Sequence, residues 1–72
     1  MQLNDWLRKH KDNDTRARVC GDVGCAVLWL HQVAGGHKTA SAARCKALED
    51  ATRSHTPDDV VTRAEVRPDL FG

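Results

Sequence analysis

One glycine limits what this chain can build. Gly24 sits between two apolar-patterned stretches in the run Ala17-Arg-Val-Cys-Gly-Asp-Val-Gly-Cys-Ala-Val-Leu-Trp-Leu-His-Gln-Val33. Before it, Val19, Cys20 and Val23 recur at helical spacing; after it, Leu30 and Val33 do the same. Glycine alone enters the left-handed conformation without a Cβ penalty. A helix from about Thr15 to Val23 should therefore end at Gly24 and turn through Cys25 and Ala26. A second helix then runs from Val27 to Val33 or Ala34 and stops at Gly35-Gly36. Together they make a helix-turn-helix unit over about residues 15–34. Gly21, inside the first of the two, costs up to about 1 kcal/mol relative to Ala and suits a close helix contact.

The rest of the chain supplies partners for that unit. Leu3, Trp6 and Leu7 predict an opening helix from about Leu3 to Lys11 that faces inward with those three. Gln2 or Asn4 is its expected cap, and Asp5 suits the positive end of its dipole. Asp14 or Thr15 should cap the next helix. Beyond the basic connector His37-Lys38-Thr39-Ala40, Ser41 is the expected cap of a helix from about Ala42 to Thr52, with Cys45, Leu48 and Ala51 inward. Arg53 to Asp59 reads as a loop, Val60-Val61-Thr62 as β-prone, and Ala64-Glu65-Val66 as a helical turn or an extended piece. Pro68 holds a tail whose Leu70 and Phe71 can pack back. The expectation is one mainly α domain, residues 1–72, of four to five short helices, with an extension from about residue 53 that is extended or a short turn. A chain of 72 residues buries a modest core, so its helices must pack efficiently or its subunits associate.

Charge is uneven. Residues 1–46 carry eight Lys or Arg against four Asp, a net of +4, and residues 47–72 carry three Arg against six Asp or Glu, a net of −3. The positive part coincides with the helix-turn-helix, a mild pointer to a polyanionic partner. Three cysteines cannot form a complete disulfide framework, and a reducing, cytoplasmic setting is expected. The opening Met-Gln-Leu-Asn-Asp-Trp lacks the basic and apolar regions of a signal peptide, and the apolar run Cys25–Leu30 is too short to span a membrane. Cys20, Cys25, Cys45, His31 and His37 could in principle supply a tetrahedral zinc set. No C-x-x-C pair is present and Cys20 and Cys45 fall on core faces, so no metal or cofactor is expected. No cysteine has an activating histidine at a fixed spacing, and no enzyme activity is expected.

Several runs resemble a known family. Trp6-Leu7 in a short first helix, Ala42-Ala-Arg-Cys45, Leu48-Glu-Asp-Ala-Thr52 and Glu65-Val-Arg-Pro-Asp-Leu-Phe-Gly72 are similar to runs of small phage Cro-like and YdaS-like helix-turn-helix repressors. Those proteins carry "PAERC", "IE-AT" and "LRPDLF" in the same order. Counting back from Ala42 without a gap places Gly36 on that family's loop glycine, Gly24 on its turn glycine and Leu30 on a core position of its recognition helix. The resemblance implies a lambda-repressor/Cro-like fold and a homodimer that binds a double-stranded DNA operator and represses transcription in a bacterial host, associated with the nucleoid. Carried over, Val27, Leu28, His31 and Gln32 face base edges, while Arg16, His37, Lys38 and Thr39 meet phosphates. Gln32 can pair with adenine, His31 can donate to guanine, and Val27 and Leu28 can touch thymine methyls. The family commonly has Ser, Gln, Asn or Arg where Val27, Leu28 and Trp29 stand, and Trp where Val33 stands. That departure supports a second expectation: a repressor scaffold turned to a host protein, with Trp29 as the interface anchor. The dimer surface is expected on the fourth helix and the Val60–Phe71 tail.

Overall fold

The computed structural model describes all 72 residues. It is mainly helical, with six helices in chain order and no strand: α1 Leu3–Lys9, α2 Asn13–Val23, α3 Val27–Ala34, α4 Ala42–His55, α5 Arg63–Val66 and α6 Pro68–Phe71. The longest helix, α4, packs most extensively against α2 and also receives α5, while α1 packs on α3. Leu3, Trp6 and Leu7 of α1 meet Val19 and Cys20 of α2, Leu30 of α3, Leu48 and Ala51 of α4, and Val61 in one buried cluster. Apart from Val61, these are the residues that the 3.6-residue periodicity marks as inward. No helix is long and apolar enough to cross a membrane.

The helix-turn-helix expectation is met in detail at the turn. Gly24 has φ +80° and closes α2, its N–H donating to the Cys20 carbonyl at 2.8 Å. Gly36, with φ +79°, plays the corresponding part after α3. Ser41 caps α4 as expected, its Oγ accepting from the Arg44 N–H at 3.2 Å.

Other local expectations are corrected. The α1 helix stops at Lys9; Gln2 stands at its N-cap as expected, but its side chain makes no capping hydrogen bond. Asn4 instead donates to the Ala34 carbonyl at 3.1 Å, tying α1 to the end of α3. The α2 helix begins two residues early because Asp12, rather than Asp14 or Thr15, accepts the Thr15 N–H at 2.9 Å. Gly21 faces solvent with nothing near its missing Cβ, so no helix approaches there. The α4 helix continues through Arg53–His55, where a loop was expected. Its last turn is held by the Thr56 N–H on the Thr52 carbonyl at 2.7 Å and by a contact of His55 Nε2 with Asp22 at 2.8 Å.

The tail also folds more than its composition suggests. Val60-Val61-Thr62 forms no strand, since no second β segment exists to pair with it. It crosses the end of the bundle in extended form, with Val61 fully buried. Thr62 then caps α5 through a reciprocal capping box with Glu65. Pro68 opens α6, where a missing N–H costs nothing. Phe71 is half-buried beneath the Arg63 guanidinium, 5.7 Å from the ring centroid, but Leu70 does not pack back and remains largely exposed.

A short buried polar column fixes this geometry. Trp6 Nε1 donates to Thr56 Oγ1 at 3.0 Å, and Thr56 Oγ1 donates to the Thr52 carbonyl at 2.8 Å. Thr52 Oγ1 donates to the Leu48 carbonyl at 2.8 Å and accepts the Val61 N–H at 3.0 Å. Replacing Thr52 by Val keeps the shape and orphans the buried Val61 N–H. Thr52→Val should lower unfolding free energy in urea titrations by about 1–3 kcal/mol, whereas Thr52→Ser, which keeps the acceptor, should cost less.

Two buried carboxylates set the acid limit. Glu49 accepts the Arg63 N–H at 2.7 Å, with the Arg63 and Arg53 guanidiniums at 3.3 and 3.4 Å, and these bonds hold its carboxyl below the usual range. Asp59, bonded to Lys9 at 2.9 Å and His10 at 3.0 Å, is lowered for the same kind of reason. Both groups bind protons more readily in the unfolded chain, so they stabilise the fold above about pH 4, the unfolded carboxylate range. That contribution disappears as pH falls through the lower native values. Urea midpoints should therefore drop steadily below pH 4, and Glu49→Gln should flatten the dependence.

Candidate nucleic-acid interface

The outward face of the helix-turn-helix is narrower than the sequence alone implies. On α3, Leu30 is fully buried, and Val27, Val33 and Ala34 pack half-buried against the core. The helix phase therefore leaves Leu28, His31 and Gln32, at i, i+3 and i+4, as the open stripe. Leu28 is 64% exposed, the most open large apolar side chain in the molecule. His31 is exposed and Gln32 is half-buried. Of the four residues expected to face bases, these three share one face. Val27 belongs to the inner side, because it lies three residues before Leu30 on the same helix edge.

Trp29 has partners within the chain. It is half-buried against the core cluster, and the Arg44 guanidinium lies over its ring at 5.0 Å from the centroid. Arg44 also reaches the Gly24 carbonyl at 3.5 Å. One cation on α4 thus holds the indole and the turn together, which gives Trp29 an internal role beside any contact with a partner. Sequence reading missed Arg44, since nothing in its local pattern distinguishes it from a solvated helix arginine.

The expected phosphate contacts divide in two. Arg16 is drawn inward: its Nε donates to the His10 carbonyl at 2.7 Å and its Nη2 to the Leu7 carbonyl at 2.6 Å. It satisfies carbonyls that the end of α1 leaves open. Only Nη1 points along the α3 face, 3.5 Å from His31 Nε2. His37, Lys38 and Thr39 are exposed on the connector. The N–H groups of His37 and Lys38 fold back onto the Gln32 carbonyl at 2.8 and 3.2 Å. That return places both side chains at the C-terminal, negative end of α3, where cations are favoured. Lys38 and Thr39 also border an open groove of about 420 Å³ floored by Val33, Ala40 and Val66.

The arrangement is a two-helix platform with a polar-apolar stripe, one arginine edge at its side and one lysine at its end. It contains no cluster of three or more His, Cys, Asp or Glu able to hold a metal ion. Cys20 and Cys45 are buried, and Cys25 is half-buried at the turn. Comparison with known protein families, curated proteins and solved structures finds no match.

The double role of Arg16 has a measurable consequence. Arg16→Ala removes two short charge-assisted hydrogen bonds and should destabilise the folded chain by about 1–2 kcal/mol without any ligand. A thermal melt of the isolated variant checks this, and Arg16→Lys, which cannot bridge both carbonyls, should recover little.

Proposed function

We propose that the protein binds duplex DNA through the helix-turn-helix and acts as a homodimeric transcriptional repressor of the phage Cro or YdaS kind. The observation that carries this reading is the open stripe Leu28–His31–Gln32 on α3, braced by α2 and flanked by Arg16 Nη1. A helix presented this way fits the major groove. In that position Gln32 reads adenine, His31 donates to guanine acceptors, and Leu28 contacts a thymine methyl. Lys38, Thr39 and His37 meet the backbone beyond the end of α3. A single eight-residue helix spans few base pairs, so two copies on half-sites one DNA turn apart supply specificity. The setting of such a repressor is the cytoplasm of a bacterial host, at the nucleoid.

A second reading rests on Leu28. A leucine so open at the centre of the functional face, on a helix with few polar residues, suits a host protein as partner instead of a base edge.

Fluorescence anisotropy with labelled duplexes at low salt separates the two. On the DNA reading, the folded protein binds at micromolar concentration or tighter, and affinity falls steeply as salt rises. Lys38→Ala weakens all sequences alike and lowers the salt slope by about one per contact. Gln32→Ala relaxes base preference at one position by about 1–3 kcal/mol. A folded sample that fails to bind any duplex at micromolar concentration discards the DNA reading.

A further inference from the structure

Two of the three cysteines flank Gly24, Cys20 in the last turn of α2 and Cys25 in the turn that follows, and the motif that ends α2 brings the two residues together. When a helix closes with a left-handed residue, the next N–H can return to the carbonyl of the residue five positions earlier. The side chains of those two residues then meet. Here Gly24 is the left-handed residue, and the Cys25 N–H donates to the Cys20 carbonyl at 3.0 Å. In many helices an aliphatic pair fills these positions; in this chain both are cysteine, and Cys25 packs against the core cluster that contains Cys20. We propose that Cys20 and Cys25 form a dithiol site that hydrogen peroxide or an organic hydroperoxide converts to an intramolecular disulfide across the α2–α3 turn.

The environments of the two sulfurs assign their roles. Cys25 is half-buried and can be reached by a small oxidant; Cys20 is only 4% exposed. Burial, and next the neighbouring Cys25, push the Cys20 thiol up to about 12, and the same burial keeps reagents in solution away from it. Cys25 therefore reacts first. Its thiolate attacks one peroxide oxygen, the O–O bond breaks, and water or an alcohol leaves with a Cys25 sulfenic acid behind. The Cys20 sulfur then attacks the Cys25 sulfur, the S–S bond forms, and the S–O bond breaks. The departing hydroxide takes the Cys20 proton as water. Two thiols and one hydroperoxide thus give one disulfide, one water and one further water or alcohol. The third cysteine takes no part: Cys45 is buried on α4, with its sulfur directed at the Ala40 carbonyl, 3.9 Å away.

Bond formation is felt by the platform. A disulfide bond of about 2.05 Å is far shorter than a contact between unbonded sulfurs. Cys25 lies two residues before α3, so the bond ties the start of that helix to α2.

The test uses the intact chain, treated with hydrogen peroxide, alkylated with iodoacetamide and digested with trypsin. The tryptic peptide Val19–Lys38 carries Cys20 and Cys25 with no internal Lys or Arg. The expected product is this peptide two hydrogens lighter, refractory to alkylation and restored by dithiothreitol, with free thiols falling from three to one. Cys25→Ser should abolish the product, and Cys45→Ser should leave it unchanged. The proposal is overturned by alkylation of both cysteines after peroxide, by sulfinic acid on Cys25 with Cys20 still free, or by chains linked to one another through Cys25. None of these outcomes depends on DNA binding, so this site and the proposed function stand or fall separately.

Discussion

A column of threonine hydroxyls on one side of α4 holds the molecule together. Thr52 and Thr56 lie one turn apart, where each hydroxyl can reach a carbonyl of the preceding turn. That alone would satisfy the hydroxyls without linking any elements. The linkage comes from their remaining capacity: Thr56 receives the Trp6 indole N–H, and Thr52 receives the Val61 backbone N–H. The first bond lets a large aromatic ring be fully buried with its one polar atom paired. The second lets an extended segment enter a helical core without an orphaned donor. Through these two bonds α4 fixes α1 on one side and the path to α5 on the other.

The platform for the proposed interaction depends on that arrangement. The α3 helix has no side-chain cap and is short, so its own hydrogen bonds cannot hold it in place. It is placed by Leu30 in the core, by Asn4 reaching from α1 to its last carbonyl, and by Arg44 over Trp29. Arg16 joins the same scheme by closing the end of α1 while its third edge touches His31. A residue can therefore belong to the scaffold and still border the proposed binding face. For Arg16 this means that loss of binding in a variant must be separated from loss of fold. The cysteine pair is a related case, because the hydrogen bond that ends α2 runs from the Cys25 N–H to the Cys20 carbonyl.

Much of the architecture was legible because it rests on local rules. Helical spacing of Leu3, Trp6 and Leu7, of Val19 and Cys20, and of Cys45, Leu48 and Ala51 identified the inward faces. Gly24 and Ser41 marked an end and a start by their own backbone chemistry. The errors fell where a remote group decided the outcome. Asn4 is a plausible local cap, but Ala34, thirty positions away, offers its carbonyl. Val60-Val61-Thr62 has strand propensity, yet a strand needs an edge to pair with and this fold has none. Among the proposed contact residues, Leu28, His31 and Gln32 were readable from helix phase. Val27 and Trp29 were not, because a short helix with five apolar residues has no unique inward side until its neighbours are in place.

By itself the sequence determined a mainly helical chain, the turn at Gly24, the pairing of apolar faces and the concentration of positive charge in the first two thirds. These follow from backbone stereochemistry, residue spacing and composition, which need no partner to be defined. Only the tertiary structure decided which α3 side chains remain open, that Arg16 turns inward, that the tail folds into α5 and α6 through Glu49 and Thr62, and that Cys25 packs against the core cluster that holds Cys20. Each of those outcomes depends on a donor, acceptor or surface supplied by another element, and sequence distance carries no record of that proximity.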